Sequence, residues 1–230
     1  HPGVAAWVEA LVASAVDLDA RGCDRGLDAA FATLAPERVM NDVLGPSLFR
    51  IGELWAAGTC SVAGEHLVSG SALGRLRRLL DAAAPSEGPA ALCACFPEEQ
   101  HALGSLAVAY GLARRGYRVT WLGAALPFED LDRAIDSLRP ELVLLSVTRA
   151  ALLDAHGPRL VDSVRRGAGT RFFVGGAGVS DGAASHEALV AAGATLVRAR
   201  TLAEVDEALA GPRRGARSGA HGRRKGRAAV

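Results

Sequence analysis

Apolar residues recur at helical spacing over the first third of the chain and then change period. Val4, Trp7, Val8, Leu11, Val12 and Val16 fall three or four positions apart, which predicts a helix over about 4–20. Leu27, Phe31 and Leu34 predict a second helix over about 25–34, ending before Pro36. A third starts at Pro36, whose fixed φ and missing N–H suit a first helical turn, and runs to Ala57. Val39, Val43, Leu48, Ile51, Leu54 and Trp55 form its apolar side, and Gly58 is placed to end it. The Ser61 hydroxyl can cap a fourth helix, in which Val62, His66, Leu67, Leu73, Leu76, Leu79 and Leu80 follow. Four helices with short connections predict a helical-bundle domain over residues 1–84.

Pro85-Ser86-Glu87-Gly88-Pro89 reads as a linker. Beyond it, near-continuous apolar runs predict strands at 90–96, 117–122, 141–147, 171–175 and 195–198. Leu142-Val143-Leu144-Leu145 is one such run. Strands without polar alternation are buried on both faces, as in a parallel sheet. Helical patterns fall between and after them, at 101–115, 128–138, 150–166, 183–192 and 202–210. Five βα units predict a doubly wound, flavodoxin-like α/β domain with a five-stranded parallel sheet over residues 90–210. The whole is an α/β chain carrying an N-terminal four-helix bundle. No internal repeat interrupts the pattern.

Composition narrows this picture. Half of the 230 residues are hydrophobic and 22% are charged, as in a globular chain with room for two small domains. No apolar run approaches the roughly 20 residues that span a bilayer, so no membrane partner is expected. Acidic Glu9 and Asp17 in the first helix do not fit a signal peptide. Cys23, Cys60, Cys93 and Cys95 form no CxxC pair and read as reduced core thiols, which implies a cytoplasmic location. The net charge of +1 hides an asymmetry. Seven of the 26 basic residues fall after Gly211, leaving 19 basic against 25 acidic residues in the body, a net of −6. An acidic body is not a nucleic-acid-binding surface. Residues 211–230 are rich in Gly, Arg and Ala and predict a disordered, solvated tail. A non-specific phosphate-binding arm is the alternative for that tail.

The candidate chemistry gathers at the carboxyl ends of the strands, where open α/β sheets bind ligands. Glu99-Gln100-His101-Ala102-Leu103-Gly104 lies between the first strand and its helix. A neutral imidazole is a good axial ligand for a transition metal. A carboxylate beside it can take the other ring N–H and fix the tautomer. Gly123 follows strand two, Ser146 and Thr148 end strand three, and Gly175-Gly176 end strand four. Glycine pairs permit close backbone approach to a ligand, and hydroxyls can bond its polar edge. No GxGxxG follows strand one, which disfavours a dinucleotide.

These residues resemble a known family. Glu99-Gln100-His101-Ala102-Leu103-Gly104 is similar to the DxHxxG motif of the cobalamin-binding domain, with Glu in place of Asp. Ser146-Val147-Thr148 resembles its SxL or SxT element, and Gly175-Gly176 its GG element. The resemblance implies that His101 replaces the cofactor's own dimethylbenzimidazole as lower cobalt ligand, with Glu99 as its hydrogen-bond partner. The longer Glu would bond His101 directly or through a water. Gly104, Ser146, Thr148, Gly175 and Gly176 would line the channel for the displaced nucleotide tail, and Gly123 stands with them as a cofactor-binding candidate of the slot along the sheet edge.

The bundle carries a second signature. Trp55 is followed after nine residues by Glu65-His66, which resembles the W-x9-EH motif of adenosylcobalamin-dependent photoreceptors of the CarH/LitR type. A flat indole can pack on an adenine or corrin face, and a carboxylate and imidazole can bond ribose hydroxyls. A core Trp and a helix-start Glu facing the dipole is the plain structural alternative. Some light-responsive members carry a His after the Trp that ligates cobalt after photolysis, and here that position is Ala56. Those regulators usually carry an N-terminal helix-turn-helix domain, whereas this sequence opens on the first bundle helix. A sensory module that self-associates or acts through a partner transcription regulator is therefore expected, with DNA reached only indirectly or through the tail. The implied cofactor is adenosylcobalamin, with methylcobalamin as a second possibility. The implied function is a cobalamin-dependent light sensor, and the alternative is a corrinoid methyl carrier of a methyltransferase system. No acid/base pair or nucleophilic triad stands out, so no catalytic residues are assigned.

Overall fold

The computed structural model describes residues 3–167, 169–179, 185–199 and 201–210. The basic tail expected from residue 211 and the start of the helix expected at 183 lie outside them.

The bundle opens with α1 (Val4–Asp17) and α2 (Ala20–Thr33). The spacing predicted α2 from about residue 25, but it begins five residues earlier. Leu18 turns the chain in the left-handed region (φ 54°), and the Asp19 side chain accepts a hydrogen bond from Gly22 N at 2.9 Å. That cap starts the helix one turn before its first buried residue, Cys23, joins the core. The long third helix is present over 36–56, but in three parts: α3 (Pro36–Arg38), a π-helical stretch (Val39–Leu44) and α4 (Gly45–Ala56). Pro46 explains the wider turn. It has no N–H to donate, and in a regular α-helix its ring would press on the carbonyl four residues back. α5 (Val62–Ala83) begins at the Ser61 cap, whose Oγ accepts from Gly64 N at 3.1 Å. Arg75 of α5 reaches back to α2, with its Nε 2.8 Å from Asp28 and its Nη1 3.0 Å from Asp24.

The α/β part holds β1 (Ala90–Cys95), β2 (Arg118–Trp121), β3 (Leu142–Ser146), β4 (Arg171–Gly175) and β5 (Thr195–Val197). Its helices are α6 (Leu103–Arg114), α7 (Phe128–Leu138), α8 (Ala150–Arg166), α9 (His186–Ala192) and α10 (Leu202–Ala210). All strand pairs are parallel and the order is β2-β1-β3-β4-β5. This is the flavodoxin-like order that the sequence predicts. Successive β1 residues enter opposite cores. Ala91 and Cys93 join the side of α6 and α10, and Leu92 and Ala94 join the side of α7, α8 and α9. All four cysteines are buried and free. Among the described residues no helix is long and apolar enough to cross a membrane.

The first core does not stop at the linker. It runs from Leu11, Leu27 and Ile51 of the bundle through Leu106 of α6 to Leu144 and Phe173 of the sheet. α5 packs along α6, so the bundle is seated over the face of the sheet that carries α6. α1 and α5 meet backbone to backbone at Gly64, where a Cβ would lie 2.2 Å from Ala15 O and 2.9 Å from Cys60 Sγ. Gly64→Ala should therefore lower the unfolding free energy in urea by about 2 kcal/mol, since the backbone it meets cannot step aside. An unchanged midpoint would show that α1 and α5 can separate at no cost.

Candidate functional site

Registry across the sheet puts Cys95, Ser146, Gly175 and Val197 in one row at its carboxyl edge. Strand order reverses between β1 and β3, and the loops that leave those two strands meet over the gap. Doubly wound sheets bind ligands at this switch point.

Glu99 holds the two loops together. Its side chain is completely buried, yet it meets four donor groups. Oε1 accepts from the His101 backbone N–H at 2.9 Å and from His101 Nδ1 at 2.5 Å. Oε2 accepts from the Thr148 backbone N–H at 2.7 Å and from Thr148 Oγ1 at 2.6 Å. Burial pushes the Glu99 carboxyl pKa up, but the bonds from Thr148 and His101 outweigh it and hold the pKa at about 2. The group is thus a carboxylate at neutral pH and can only accept. Its partner Nδ1 must then carry the proton, which leaves the lone pair of a neutral imidazole on Nε2. The His101 side chain is 66% exposed and lines the cleft described below.

The local chain explains how a Glu serves here. Glu99 N donates to Phe96 O at 3.1 Å, Glu98 takes a left-handed φ of 62°, and Glu99 O accepts from Ala125 N at 2.9 Å. This tight turn draws the Glu99 backbone under the sheet edge, and the extra methylene brings its carboxylate to His101 directly. The helix predicted from 101 begins only at Leu103, which leaves His101 on the loop. Ser105 anchors the far side, donating to Ala102 O at 2.8 Å and accepting from Trp121 Nε1 at 3.0 Å.

Bundle and α/β domain enclose a mostly apolar cleft of about 1020 Å³, at the upper end of the roughly 300–1,000 Å³ of ligand sites. From the α/β side it is lined by His101, Gly104, Ser146, Thr148, Gly175 and Gly176. From the bundle side it is lined by Trp55, Glu65 and His66. Trp55 ends α4 with its indole 54% exposed, and Glu65 lies 3.5 Å from His66 Nε2 in the first turn of α5. Two candidates stand elsewhere. Glu99 lies behind His101 rather than in the wall. Gly123 does not line the cleft; it has a φ of 80° at the turn after β2, and its carbonyl accepts from Cys95 N at 2.9 Å. Gly176 lines the cleft but is also required by the fold, since a Cβ there would lie 2.4 Å from Val147 O.

Other lining residues escaped the sequence reading. Asn41 of the π-helical stretch and Leu202 and Val205 of α10 line the cleft, and Asn41 Oδ1 accepts from Leu202 N at 3.3 Å. The pair is 161 residues apart in sequence, so no local pattern could join them.

Comparison with known proteins identifies the family. The family described as a B12 binding domain matches residues 89–205, and a second family of the same description matches residues 7–80. The chain belongs to the B12-binding family. It is 38% identical over 192 residues to the HTH-type transcriptional repressor CarH of Myxococcus xanthus, covering 82% of this chain and 62% of that protein. It is 36% identical over 158 residues to the HTH-type transcriptional repressor CarA of the same organism, covering 68% of this chain and 53% of CarA. The chain thus spans between half and two thirds of the length of these relatives. The structure of the Methanosarcina barkeri monomethylamine corrinoid protein shares the fold, with a TM-score of 0.68 at 17% identity over 86% of this chain and 94% of that one.

The residues fit cobalamin, the cofactor of this family. An imidazole with a free Nε2 faces a large apolar cleft, its tautomer held by a buried carboxylate. Replacing that carboxylate gives a two-part prediction. Its depressed pKa contributes stability that is full above the ordinary value of 4.5 and is lost as pH falls toward about 2. The size is about 3 kcal/mol at neutral pH. Glu99→Gln should remove that amount in urea titrations at pH 7 and flatten the acid limb of the stability profile. It should also weaken cobalamin binding by about 10–100-fold.

Proposed function

We propose that this protein is an adenosylcobalamin-dependent light sensor that regulates transcription by self-association or through a partner regulator. The observation that carries this reading is the joint lining of one cleft by His101 from the α/β domain and by Trp55, Glu65 and His66 from the bundle. A corrinoid cofactor needs both sides. The curated relatives of this chain are named as transcriptional repressors, which supports a regulatory rather than a catalytic role.

In this reading His101 would hold the cobalt through Nε2, and Glu99 keeps its ring in place. Thr148 closes the loop over that carboxylate. Ser146, Gly175 and Gly176, with the apolar floor behind them, receive the nucleotide tail. Trp55 would pack on the upper group, and Glu65 and His66 would bond the hydroxyls of an adenosyl group. Bound adenosylcobalamin supplies a cobalt–carbon bond that light can break. Trp55, exposed in the cleft, is the bundle residue that would sense the presence or loss of that group, and α4 and α5, packed on α6, would pass the difference on as a two-state element biased by a ligand. A methyl-carrier role is weaker, because a carrier must present its upper face to partner enzymes, and in this reading Trp55, Glu65 and His66 of the cleft would cover it.

The test is the absorption spectrum of protein loaded in the dark with adenosylcobalamin, before and after green light, beside His101→Ala. The wild type should show a base-off, His-on spectrum that light alters, together with a change in elution on a sizing column. His101→Ala should lose the His-on features. Binding with no light-dependent change in assembly would sink the sensor and favour the carrier.

A further inference from the structure

Glycine is the poorest helix former after proline, so a glycine inside a helix asks for a cause. For several in this chain the cause is packing. A Cβ on Gly64 would lie 2.2 Å from Ala15 O, and one on Gly157 would lie 2.3 Å from the Ser185 side chain. Gly52 in α4 and Gly70 in α5 are different. Neither has a positive φ, and nothing lies within 4 Å of a Cβ built on either. The ligand-free fold has no use for glycine at these places. Both nevertheless line the cleft, on the bundle side. Gly52 lies one turn before Trp55 and Ala56, and Gly70 lies one turn after His66. The exposed indole and the Glu65–His66 pair therefore border two lengths of bare helix backbone.

We propose that Gly52 and Gly70 are specificity-determining residues that set the size of the upper half of the cleft, so that a nucleoside-sized group on cobalt can pack against helix backbone. The inference rests on the cobalamin reading above and deepens it. A base or ribose reaches van der Waals contact with a helix only where no side chain stands between, and two such places flank the residues whose chemistry suits a nucleoside. A side chain at either position takes volume from the upper group alone. It leaves His101, Glu99 and the tail-binding edge of the sheet untouched, because those lie on the other domain. A small upper group such as hydroxide makes no demand on that volume. The two glycines thus discriminate between cobalamins by shape, while affinity for the shared corrin and tail comes from elsewhere.

The full chain is titrated in the dark with adenosylcobalamin and, separately, with hydroxocobalamin, as wild type, Gly52→Leu, Gly70→Leu and the two alanine variants. Each leucine should weaken adenosylcobalamin binding by about tenfold or more while hydroxocobalamin binding stays within about threefold. The ligand-free alanine variants should melt at or above the wild-type temperature, because nothing opposes the added Cβ. Equal loss of both cobalamins, or no loss of either, overturns the proposal. A lower melting temperature of the alanine variants overturns it too, since the fold would then need glycine for itself. If the wild type binds neither cobalamin, the cobalamin reading falls and this inference falls with it. That outcome is distinct from a leucine variant that fails to discriminate.

Discussion

A single buried carboxylate ties the site to the fold. Glu99 has no exposure to water, and an ion in that position is tolerable only because four donor groups surround it. Two of them come from the loop after β1 and two from the end of β3. The carboxylate therefore spans the point where strand order reverses, and it fixes the width of the crevice there. The same contacts decide the chemistry of His101, because an ionised acceptor leaves Nδ1 no role but donor. Loop geometry, imidazole tautomer and the free Nε2 are consequences of one charge held in one place.

The second constraint is the shared core. Leu11, Ile51, Leu106 and Phe173 belong to three layers, yet they lie in one continuous apolar cluster. A bundle seated this way cannot tumble freely over the α/β domain. Its seat is set by that packing, and among the described residues a large cleft lies between bundle and sheet. Whatever occupies that cleft touches both domains at once. In the proposed reading, a change in the ligand's upper group would act on the bundle through that shared contact.

Much of this was legible in the residues. Continuous apolar runs such as Leu142–Leu145 announced buried parallel strands, and the spacing of Val4, Trp7, Val8 and Leu11 announced a helix. The local motifs placed His101, Ser146, Thr148 and Gly175 at strand ends, and the shared edge then follows from topology. Errors fell where a local polar contact outweighed periodicity. Asp19 started α2 early, and Pro46 turned part of a regular helix into a wider one. The Glu99 bonds held His101 and Ala102 out of α6. Gly123, grouped with the slot residues because it follows a strand, sits at the turn after β2, where its carbonyl accepts from Cys95 N.

The sequence by itself determined the element order and the residue types at the sheet edge, because hydrophobic period and turn chemistry are local properties of the chain. Only the tertiary structure decided which of those residues share a cavity. Trp55 and His101 are far apart in sequence, and nothing in the spacing of either says that α5 packs along α6 and brings them to one cleft. The direct bond from Glu99 to His101 is of the same kind, since it needs the left-handed turn at Glu98 and the clamp of Thr148, 49 residues away. Contacts of that length are set by how whole layers pack, and no window on the sequence contains them.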